Sequence, residues 1–339
     1  MSARAAILPC FVPHEGCTHR CVFCDQRRIS GERERVDAAR VRELLKRAAA
    51  QGLTGRESQL AFYGGSFTAI DGREQQALLD AAREGIEAGL IGSIRLSTRP
   101  DAVDEATLRR LKEAGVTVIE LGAQSMDDEV LRLSGRGHTA QDVKNAARAV
   151  QAAGFSLVLQ MMTGLPGDSP EKDLETARRL IALRPDGVRI YPTVIVRGTE
   201  LEALWRAGEY REHTVADAVA VCAKLVPLFE AAGVPILRLG LNPTEELSGG
   251  EAVGGAYHPA FGELVRSRIL LDRARVLLRG VPAGSAVTLG VPAGRVSQTA
   301  GQKRCNIRAL TEEYALSALK IREIPGQAEE IRLISVEKN

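Results

Sequence analysis

The chain has 339 residues, of which 45% are hydrophobic and 26% are charged. This length is typical of about two domains, and the composition is that of a folded globular protein with a sizeable apolar core. Lys and Arg (45 residues) nearly balance Asp and Glu (43 residues), so the net charge of +2 does not by itself indicate nucleic-acid binding. Aromatic residues make up only 4%, which argues against an open sheet that stacks bases on aromatic rings.

No uncharged apolar run in the sequence approaches the ~18 residues of a membrane span. The apolar segment near the N-terminus lacks an A-x-A cleavage site and runs directly into clustered cysteines. We therefore interpret it as a strand and not as a signal peptide. A cytoplasmic protein is expected.

Hydrophobic runs alternate with helix-period segments along the first two thirds of the chain. The runs predict strands at residues 7–12, 59–63, 93–98, 116–121, 155–162 and 188–192. Helices are predicted near residues 36–51, 72–89, 104–114, 139–153, 170–183 and 214–231. Three helices end at a glycine that an apolar strand follows at once, at Gly115, Gly154 and Gly233. Strands and helices that alternate at this spacing indicate βα units and a parallel sheet.

Six βα units suit either a doubly wound sheet or an incomplete barrel, and in both folds ligands bind at the carboxyl ends of the strands. Residues 241–262 are rich in glycine. After them, helices are predicted near 263–279 and 304–318, and short strands near 286–291, 319–324 and 330–336. The pattern predicts a core over residues 1–240, a glycine-rich loop or lid over 241–262 and a small C-terminal α+β appendage over 263–339.

Three of the six cysteines lie within eight residues, after the first predicted strand. Cys17, Cys21 and Cys24 form a C-x3-C-x2-C loop, which indicates metal or redox chemistry. Three thiolates on one loop can ligate three irons of a [4Fe-4S] cluster and leave the fourth iron open to a cofactor. The alternative is a structural zinc site, which needs a fourth ligand. The nearby residues that offer one are Cys10, His14 and His19.

The cysteine loop and the segments that follow it resemble the radical-SAM superfamily. They resemble most the radical domain of the Elongator catalytic subunit, and secondarily oxygen-independent coproporphyrinogen III dehydrogenase. The matching segments cover about residues 7–240 and are Tyr63-Gly-Gly-Ser66-Phe67-Thr68, Thr98-Arg-Pro-Asp101, Glu120-Leu-Gly-Ala-Gln124-Ser125, Gly135-Arg-Gly-His138-Thr139, Gly164-Leu-Pro-Gly167-Asp168-Ser169 and Tyr191-Pro-Thr…Arg197-Gly-Thr199. The resemblance implies an α/β fold, an incomplete (β/α)6 TIM-type barrel, that carries a [4Fe-4S] cluster and S-adenosylmethionine.

The resemblance also assigns cofactor contacts to residues at the ends of the strands. Gly64 and Gly65 are expected at the methionyl amino group, with Ser66 at a position where Glu or Thr is common. Gln124 is expected at the ribose hydroxyls, since an amide both donates and accepts hydrogen bonds. Arg136 is expected at the methionyl carboxylate, which a guanidinium group binds through two hydrogen bonds.

The resemblance carries further expectations for the cluster and for four other positions. Leu165 is expected against the adenine, and the cluster ligands are expected to be the three cysteines of the loop. Ser97 and Gln160 depart from the residues common in relatives, so their contact with the cofactor is left open. His138 is either catalytic or a brace for its loop.

The expected product of cofactor cleavage is a 5′-deoxyadenosyl radical that takes a hydrogen atom from a substrate. Tyr257 and His258, in the glycine-rich segment, are candidate catalytic residues near the radical if that segment is a lid and not a flexible linker. An external electron donor of the flavodoxin or ferredoxin type is expected.

RNA, in particular tRNA, is the preferred substrate class because the motifs resemble the Elongator subunit. Lys303, Arg304 and Arg308 are predicted on neighbouring helical turns, where they grip phosphates or form a solvated helix face. No acyl-CoA loop is recognisable after residue 240, so acetyl-CoA chemistry is not assumed. The alternatives are a radical-SAM enzyme that acts on a small molecule such as a tetrapyrrole, and a zinc-stabilised, non-enzymatic interaction module.

Overall fold

The computed structural model describes residues 6–13, 15–17, 19–32, 34–324 and 330–338. The chain divides into two units, one of Met1–Ala218 with Pro227–Pro259 and one of Val219–Val226 with Ala260–Asn339. Within the described residues, no helix combines the length and the apolar character that a membrane span requires.

Among the described residues, nine strands belong to the first unit. They are β1 (Ile7–Phe11), β2 (Gly55–Tyr63), β3 (Ile91–Thr98), β4 (Val116–Gln124), β5 (Ser156–Thr163), β6 (Gly187–Pro192), β7 (Val194–Val196), β8 (Ile236–Leu239) and β9 (Ala252–Gly255). Seven of them form one parallel sheet in the order β1-β2-β3-β4-β5-β6-β8. The six predicted strands are confirmed, and the seventh, β8, follows Gly233. β7 and β9 form a separate antiparallel pair.

The order of the strands decides between the two folds that the sequence leaves open. A doubly wound sheet reverses its strand order at a switch point, whereas each strand of this sheet lies beside the preceding parallel strand in the chain. Because βα connections are right-handed, such an order places the connecting helices on one face of the sheet. The predicted incomplete TIM-type barrel is confirmed, with seven parallel strands instead of six.

Each α-helix described in the first unit begins after an Asp, Ser or Thr residue whose side chain caps it. They are α1 (Gln26–Ser30), α2 (Ala38–Ala50), α3 (Gly72–Glu87), α4 (Glu105–Glu113), α5 (Asp128–Leu133), α6 (Ala140–Ala152), α7 (Pro170–Ile181), α8 (Glu200–Arg206) and α9 (Val215–Ala231), the last of which has its middle in the second unit. Thr139 and Asp142 form a reciprocal capping box before α6, and the Ser169 side chain caps α7. Each cap accepts from backbone N–H groups that have no partner within the helix.

The two faces of the parallel sheet differ in polarity. One face carries apolar side chains with 0% exposure, and helices pack against it. These side chains are Leu60, Phe62, Leu96, Ile119, Leu121, Leu159 and Ile190. The opposite face, which we call the lumen face, carries polar side chains at alternating positions. They are Tyr63, Arg95, Ser97, Glu120, Gln160, Arg189 and Tyr191.

The segment that leads to the cysteines crosses the end of β2 with backbone against backbone. A Cβ atom added to Gly65 would lie 2.3 Å from the carbonyl oxygen of Glu15. A Cβ atom added to Gly16 would lie 2.1 Å from the carbonyl oxygen of Ser66. The Ser66 N–H donates to the Glu15 carbonyl at 2.9 Å, which closes the crossing. Glycine is therefore required on both sides, and the crossing fixes where the cysteine loop begins.

From residue 260 onward, the described part of the second unit holds a three-stranded mixed sheet and three α-helices. Its elements are α10 (Phe261–Leu278), β10 (Ala286–Val291), α11 (Val296–Ala300), α12 (Cys305–Glu313), β11 (Ala318–Glu323) and β12 (Arg332–Glu337). β10 lies in the centre, parallel to β11 and antiparallel to β12. Leu278, Leu289 and Leu310 are fully buried in the core between these elements.

Lys303 and Arg304 do not lie on the turns of α12, as expected, but in the short 3-10 turn Gln302–Arg304 that precedes it. Both lie in the turn before α12, and both have left-handed backbone conformations, with φ of 50° and 60°. The preceding Gly301 and the start of α12 at Cys305 explain why the helical pattern does not extend back to them. Arg308 does lie on α12, and all three side chains are exposed.

We predict that Gly65→Ala destabilises the protein by about 1–3 kcal/mol, because its new methyl group meets backbone atoms that cannot move aside as a side chain does. Gly72→Ala is the matched control. Gly72 is the first residue of α3, and a Cβ atom added there would have no other atom within 4 Å, so this change should be neutral or slightly stabilising. Urea denaturation of both variants measures the difference. Equal stability of the two variants would contradict the crossing.

Candidate functional site

The three cysteines of the loop after β1 lie at the carboxyl end of the parallel sheet. Cys17 is exposed, whereas Cys21 and Cys24 are partly buried. The Cys24 N–H donates to the Cys21 carbonyl at 3.1 Å, which makes the second half of the loop a tight turn. Two side-chain donors reach the sulfur atoms. Arg136 Nη1 donates to Cys21 Sγ at 3.2 Å, and Gln26 Nε2 donates to Cys24 Sγ at 3.3 Å.

The residues between the second and third cysteines anchor the loop to the barrel. The Val22 N–H donates to the carbonyl of Ser134 at 3.1 Å, and the Val22 carbonyl accepts from the Leu201 N–H at 2.8 Å. Val22 and Phe23 are buried in one apolar cluster with Leu165 and Leu201. The loop is thus attached to segments that lie far apart in the chain.

Arg136 connects the cysteine loop to the end of β4. Its Nη2 donates to the carbonyl of Gly122 at 2.6 Å, while its Nη1 reaches Cys21. Its own carbonyl accepts from Arg99 Nη2 at 2.5 Å, and Arg99 forms a bidentate ion pair with Asp101 at 2.8 and 2.9 Å. Arg136 Nε is buried and has no hydrogen-bond partner among the described residues.

Gln124 meets Arg136 above Gly122. A Cβ atom added to Gly122 would lie 3.1 Å from Gln124 Nε2 and 3.2 Å from Arg136 Nη2. Gln124 has a left-handed backbone with φ of 64°, an unfavourable conformation for a residue with a side chain. Its Oε1 is buried and has no partner in the described part of the chain. A strained residue with an unpaired amide oxygen is the kind of group that a bound ligand completes.

His138 braces the loop that carries Arg136. Its side chain is 5% exposed, and Nε2 lies 3.3 Å from the carbonyl of Ala123 at the end of β4. Burial, together with the Arg136 cation, lowers the pKa of His138 to about 4. The imidazole is therefore neutral at physiological pH. Of the two expectations for this residue, these contacts favour the brace.

The turn after β5 places Leu165 against the cysteine loop. Leu165 is buried in the cluster with Val22 and Phe23. Tyr210 Oη donates to the carbonyl of Gly164 at 2.6 Å and holds the turn in place. The apolar surface expected at the adenine is therefore continuous with the loop.

Ser66, Ser97 and Gln160 all have partners within the protein. Ser66 is fully buried, and its Oγ lies 3.0 Å from Thr98 Oγ1. Ser97 Oγ donates to the carbonyl of Phe62 at 3.5 Å, a long hydrogen bond. Gln160 Nε2 donates to Glu120 at 3.2 Å.

The glycine-rich segment is folded and contains β9. Tyr257 packs in an apolar cluster with Val194 and Leu247, and its hydroxyl lies 2.8 Å from Ser248 Oγ. His258 is half-buried. Among the described residues, the hydrogen bond of Tyr257 goes to Ser248, so the structure does not bring this hydroxyl together with the cysteines.

The charged residues of the lumen face were not predicted as site residues from the sequence. Arg95, Glu120 and Arg189 each lie inside a strand of the parallel sheet, and Tyr63 is the last residue of β2. The signal for them is a charged side chain within an otherwise buried apolar run, which is rare without a partner or a function. Glu120 is 0% exposed.

The residues present fit an iron–sulfur cluster with a bound small molecule better than they fit zinc. In the described ranges, no three His, Cys, Asp or Glu side chains are grouped so as to hold one metal ion, and His14 lies outside those ranges. A [4Fe-4S] cluster takes each thiolate at a different iron, so its ligands do not converge on one position. Burial raises the pKa of the Cys17 and Cys24 thiols, and metal binding has to displace their protons. The unpaired Gln124 Oε1 and Arg136 Nε supply an acceptor and a donor for the small molecule.

Comparison with known families and proteins agrees with this site. The model of the Radical SAM superfamily matches residues 11–180, and that of the Radical_SAM C-terminal domain matches residues 185–270. The tRNA uridine(34) acetyltransferase of Dehalococcoides mccartyi is 32% identical over 192 residues, which are 50% of this chain and 42% of that protein. Elongator complex protein 3 of Homo sapiens is 36% identical over 138 residues, 40% of this chain and 25% of that protein. The chain thus covers less than half the length of these relatives.

Two solved structures show the same fold. Elp3 of the archaeon Methanocaldococcus infernus superposes with a TM-score of 0.63 at 22% identity, over 83% of this chain and 66% of that one. The coproporphyrinogen III oxidase HemN of Escherichia coli superposes with a TM-score of 0.50 at 18% identity, over 68% and 53%. The expected cofactors of the family, a [4Fe-4S] cluster and S-adenosylmethionine, are those of this chain, and the zinc module is not favoured. The resemblance noted in the sequence is confirmed: this chain belongs to the radical SAM superfamily and is a radical S-adenosylmethionine enzyme.

Proposed function

We propose that the protein reductively cleaves S-adenosylmethionine to a 5′-deoxyadenosyl radical and uses that radical to modify RNA, with tRNA as the substrate class. The observation that carries the proposal is the convergence of Cys21, Arg136 and Gln124 at the carboxyl end of the sheet, where two buried polar atoms lack partners among the described residues. When bound, the cluster supplies the electron that cleaves the cofactor.

Cys17, Cys21 and Cys24 are the proposed cluster ligands. Arg136 donates from Nη1 to the Cys21 sulfur, and its unpaired Nε is the proposed donor to the methionyl carboxylate. Gln124 offers its unpaired Oε1 to a ribose hydroxyl, which donates to it. The two cofactor contacts thus use atoms that have no hydrogen-bond partner in the described part of the protein.

Gly64, Gly65 and Leu165 complete the proposed cofactor site. Gly64 has a φ of 97° at the end of β2, and its bare backbone lies beside the loop. Leu165 gives the adenine an apolar surface that excludes water from the reacting groups. Ser66 supports this region through its side-chain hydrogen bond with Thr98.

A tRNA substrate is proposed because one of the relatives is a tRNA uridine(34) acetyltransferase. Lys303, Arg304 and Arg308 supply three exposed positive charges within six residues of the second unit. We assign them to contacts with phosphates. A flavodoxin or ferredoxin is the proposed electron donor, and the cytoplasm is the proposed site of action.

Tyr257 and His258 are proposed as catalytic groups in a lid formed by the glycine-rich segment.

We predict that anaerobic reconstitution gives a brown protein with about four iron and four sulfide ions per chain. Cys21→Ala should abolish both the colour and cofactor cleavage because the cluster loses one of its three ligands. Cys222→Ala is the control, since Cys222 is buried on α9, away from the loop in the sequence. Iron analysis and detection of 5′-deoxyadenosine measure the outcome. Stoichiometric zinc without iron would contradict the proposal.

Arg136→Ala should weaken the binding of S-adenosylmethionine by about 1.5–3 kcal/mol, the scale of a hydrogen bond to a charged group. Arg132→Ala is the control, because Arg132 is an exposed arginine close by in the chain. Calorimetry measures the affinity, and iron content shows whether the cluster is retained. An unchanged affinity in a protein that retains its cluster would rule out the carboxylate contact.

Combined alanine substitution of Lys303, Arg304 and Arg308 should weaken tRNA binding and flatten its log–log dependence on salt by about two units, because each lost phosphate contact removes roughly 0.7–0.9. Substitution of Lys320, Arg322 and Arg332, three exposed basic residues of the same unit, controls for the change in net charge. Filter binding at several salt concentrations measures both slopes. A native protein without salt-dependent tRNA binding would favour the small-molecule substrate instead.

A further inference from the structure

Five polar side chains of the lumen face form one network around a buried carboxylate. Glu120 lies at the centre. Arg189 Nε lies 2.7 Å from Glu120 Oε2, and Arg189 Nη2 donates to Oε1 at 3.1 Å. Arg95 Nε lies 3.2 Å from Oε1. Tyr63 Oη donates to Oε1 at 2.9 Å, and Gln160 Nε2 donates to Oε2 at 3.2 Å.

The charges in this network do not balance. Two guanidinium groups, whose side chains are 7% and 14% exposed, share one carboxylate. In the part of the chain that the structure describes, Glu120 is the only carboxylate that forms an ion pair with Arg95 or Arg189. An excess positive charge in a place largely shielded from water is costly unless an anion accompanies it. The network therefore favours a negatively charged ligand.

The network also contains N–H donors that have no hydrogen-bond partner in the described part of the chain. An arginine carries five N–H groups, and the Nε atoms of Arg95 and Arg189 are buried without a hydrogen-bond partner among the described residues, although both lie near Glu120. Both oxygens of Glu120 are already occupied by its partners. A ligand that approaches this place meets unused donors and no unused acceptor of Glu120. Such a surface recognises an oxyanion.

The register of the sheet places this network next to the proposed cofactor site. Glu120, Gly122 and Gln124 lie at alternate positions of β4, so the network lies one alternation, ~7 Å, from the point where Gln124 and Arg136 meet. Tyr63 directly precedes Gly64. A substrate held at this end of the strands lies between the network and the cofactor.

We propose that Arg95 and Arg189 form an oxyanion-binding site for the substrate, with Glu120 as the fixed counter-ion that positions both guanidinium groups. This inference rests on the proposed function, because it assigns a group of the substrate that the radical modifies. The ligand carries a phosphate or a carboxylate, and a planar guanidinium group binds either through paired hydrogen bonds. In an RNA substrate, the group is a phosphate beside the modified nucleotide.

Calorimetric titration of the reconstituted protein with inorganic phosphate, uridine 5′-monophosphate, uridine and acetate tests the site. Arg189→Gln removes a positive charge and should weaken oxyanion binding at least tenfold. Glu120→Gln keeps the shape of the side chain but removes the negative charge, so oxyanion binding should tighten several-fold. Arg42→Gln is the control, because Arg42 pairs with Glu84 on an exposed surface, and binding should not change. If Arg189→Gln does not fold, Arg95→Gln replaces it.

Opposite responses of the Arg189 and Glu120 variants support the inference. Binding of phosphate and of the nucleotide, without uridine or acetate, assigns the group as a phosphate, whereas binding of acetate alone assigns a carboxylate. Parallel responses of the two variants, or the absence of binding by every probe, overturn the inference. Iron content and cofactor cleavage are measured on the unsubstituted protein. A protein that assembles the cluster and cleaves the cofactor but binds no oxyanion disproves this inference alone, and a protein without a cluster disproves the proposed function.

Discussion

The guanidinium group of Arg136 joins the cysteine loop to the sheet, and the position of each proposed cofactor contact depends on that junction. Its Nη1 donates to the Cys21 sulfur, and its Nη2 donates to the Gly122 carbonyl. Arg99 donates to the backbone carbonyl of Arg136. Hydrogen bonds that involve a charged group contribute about 1.5–3 kcal/mol each when they are partly buried. They also dictate geometry, because the planar fork of an arginine has little freedom once two of its nitrogens are engaged.

The positions of the strands and helices are predictable from the sequence because local signals agree with one another. Buried parallel strands appear as apolar runs, and helix starts such as Thr139 and Ser169 carry their own capping residues. The choice between a barrel and a doubly wound sheet is not predictable in the same way. It depends on which strands pair, and pairing is a long-range property that no local pattern encodes.

The candidate site is predictable in the parts that lie on contiguous motifs. The cysteines, Gln124 and Arg136 lie in short segments, and the structure brings Arg136 into contact with Cys21 and, at Gly122, close to Gln124. The lumen network is different. Glu120 pairs in register with Ser97, and Gln160 with Arg189, so a shift of one residue in any strand would turn these side chains to the opposite face. Sequence alone does not supply that register.

The sequential order of the strands affects how the protein can fold during its synthesis on the ribosome. Each new parallel strand pairs with the one made just before it, so the sheet can grow from its N-terminal edge as the chain emerges. The cysteine loop, in contrast, depends on contacts with residues that are synthesised later. Val22 is held by Ser134 and Leu201, and Cys21 by Arg136, all of them translated much later. The cysteine loop therefore has its full set of hydrogen-bonded supports only after Leu201 has been synthesised.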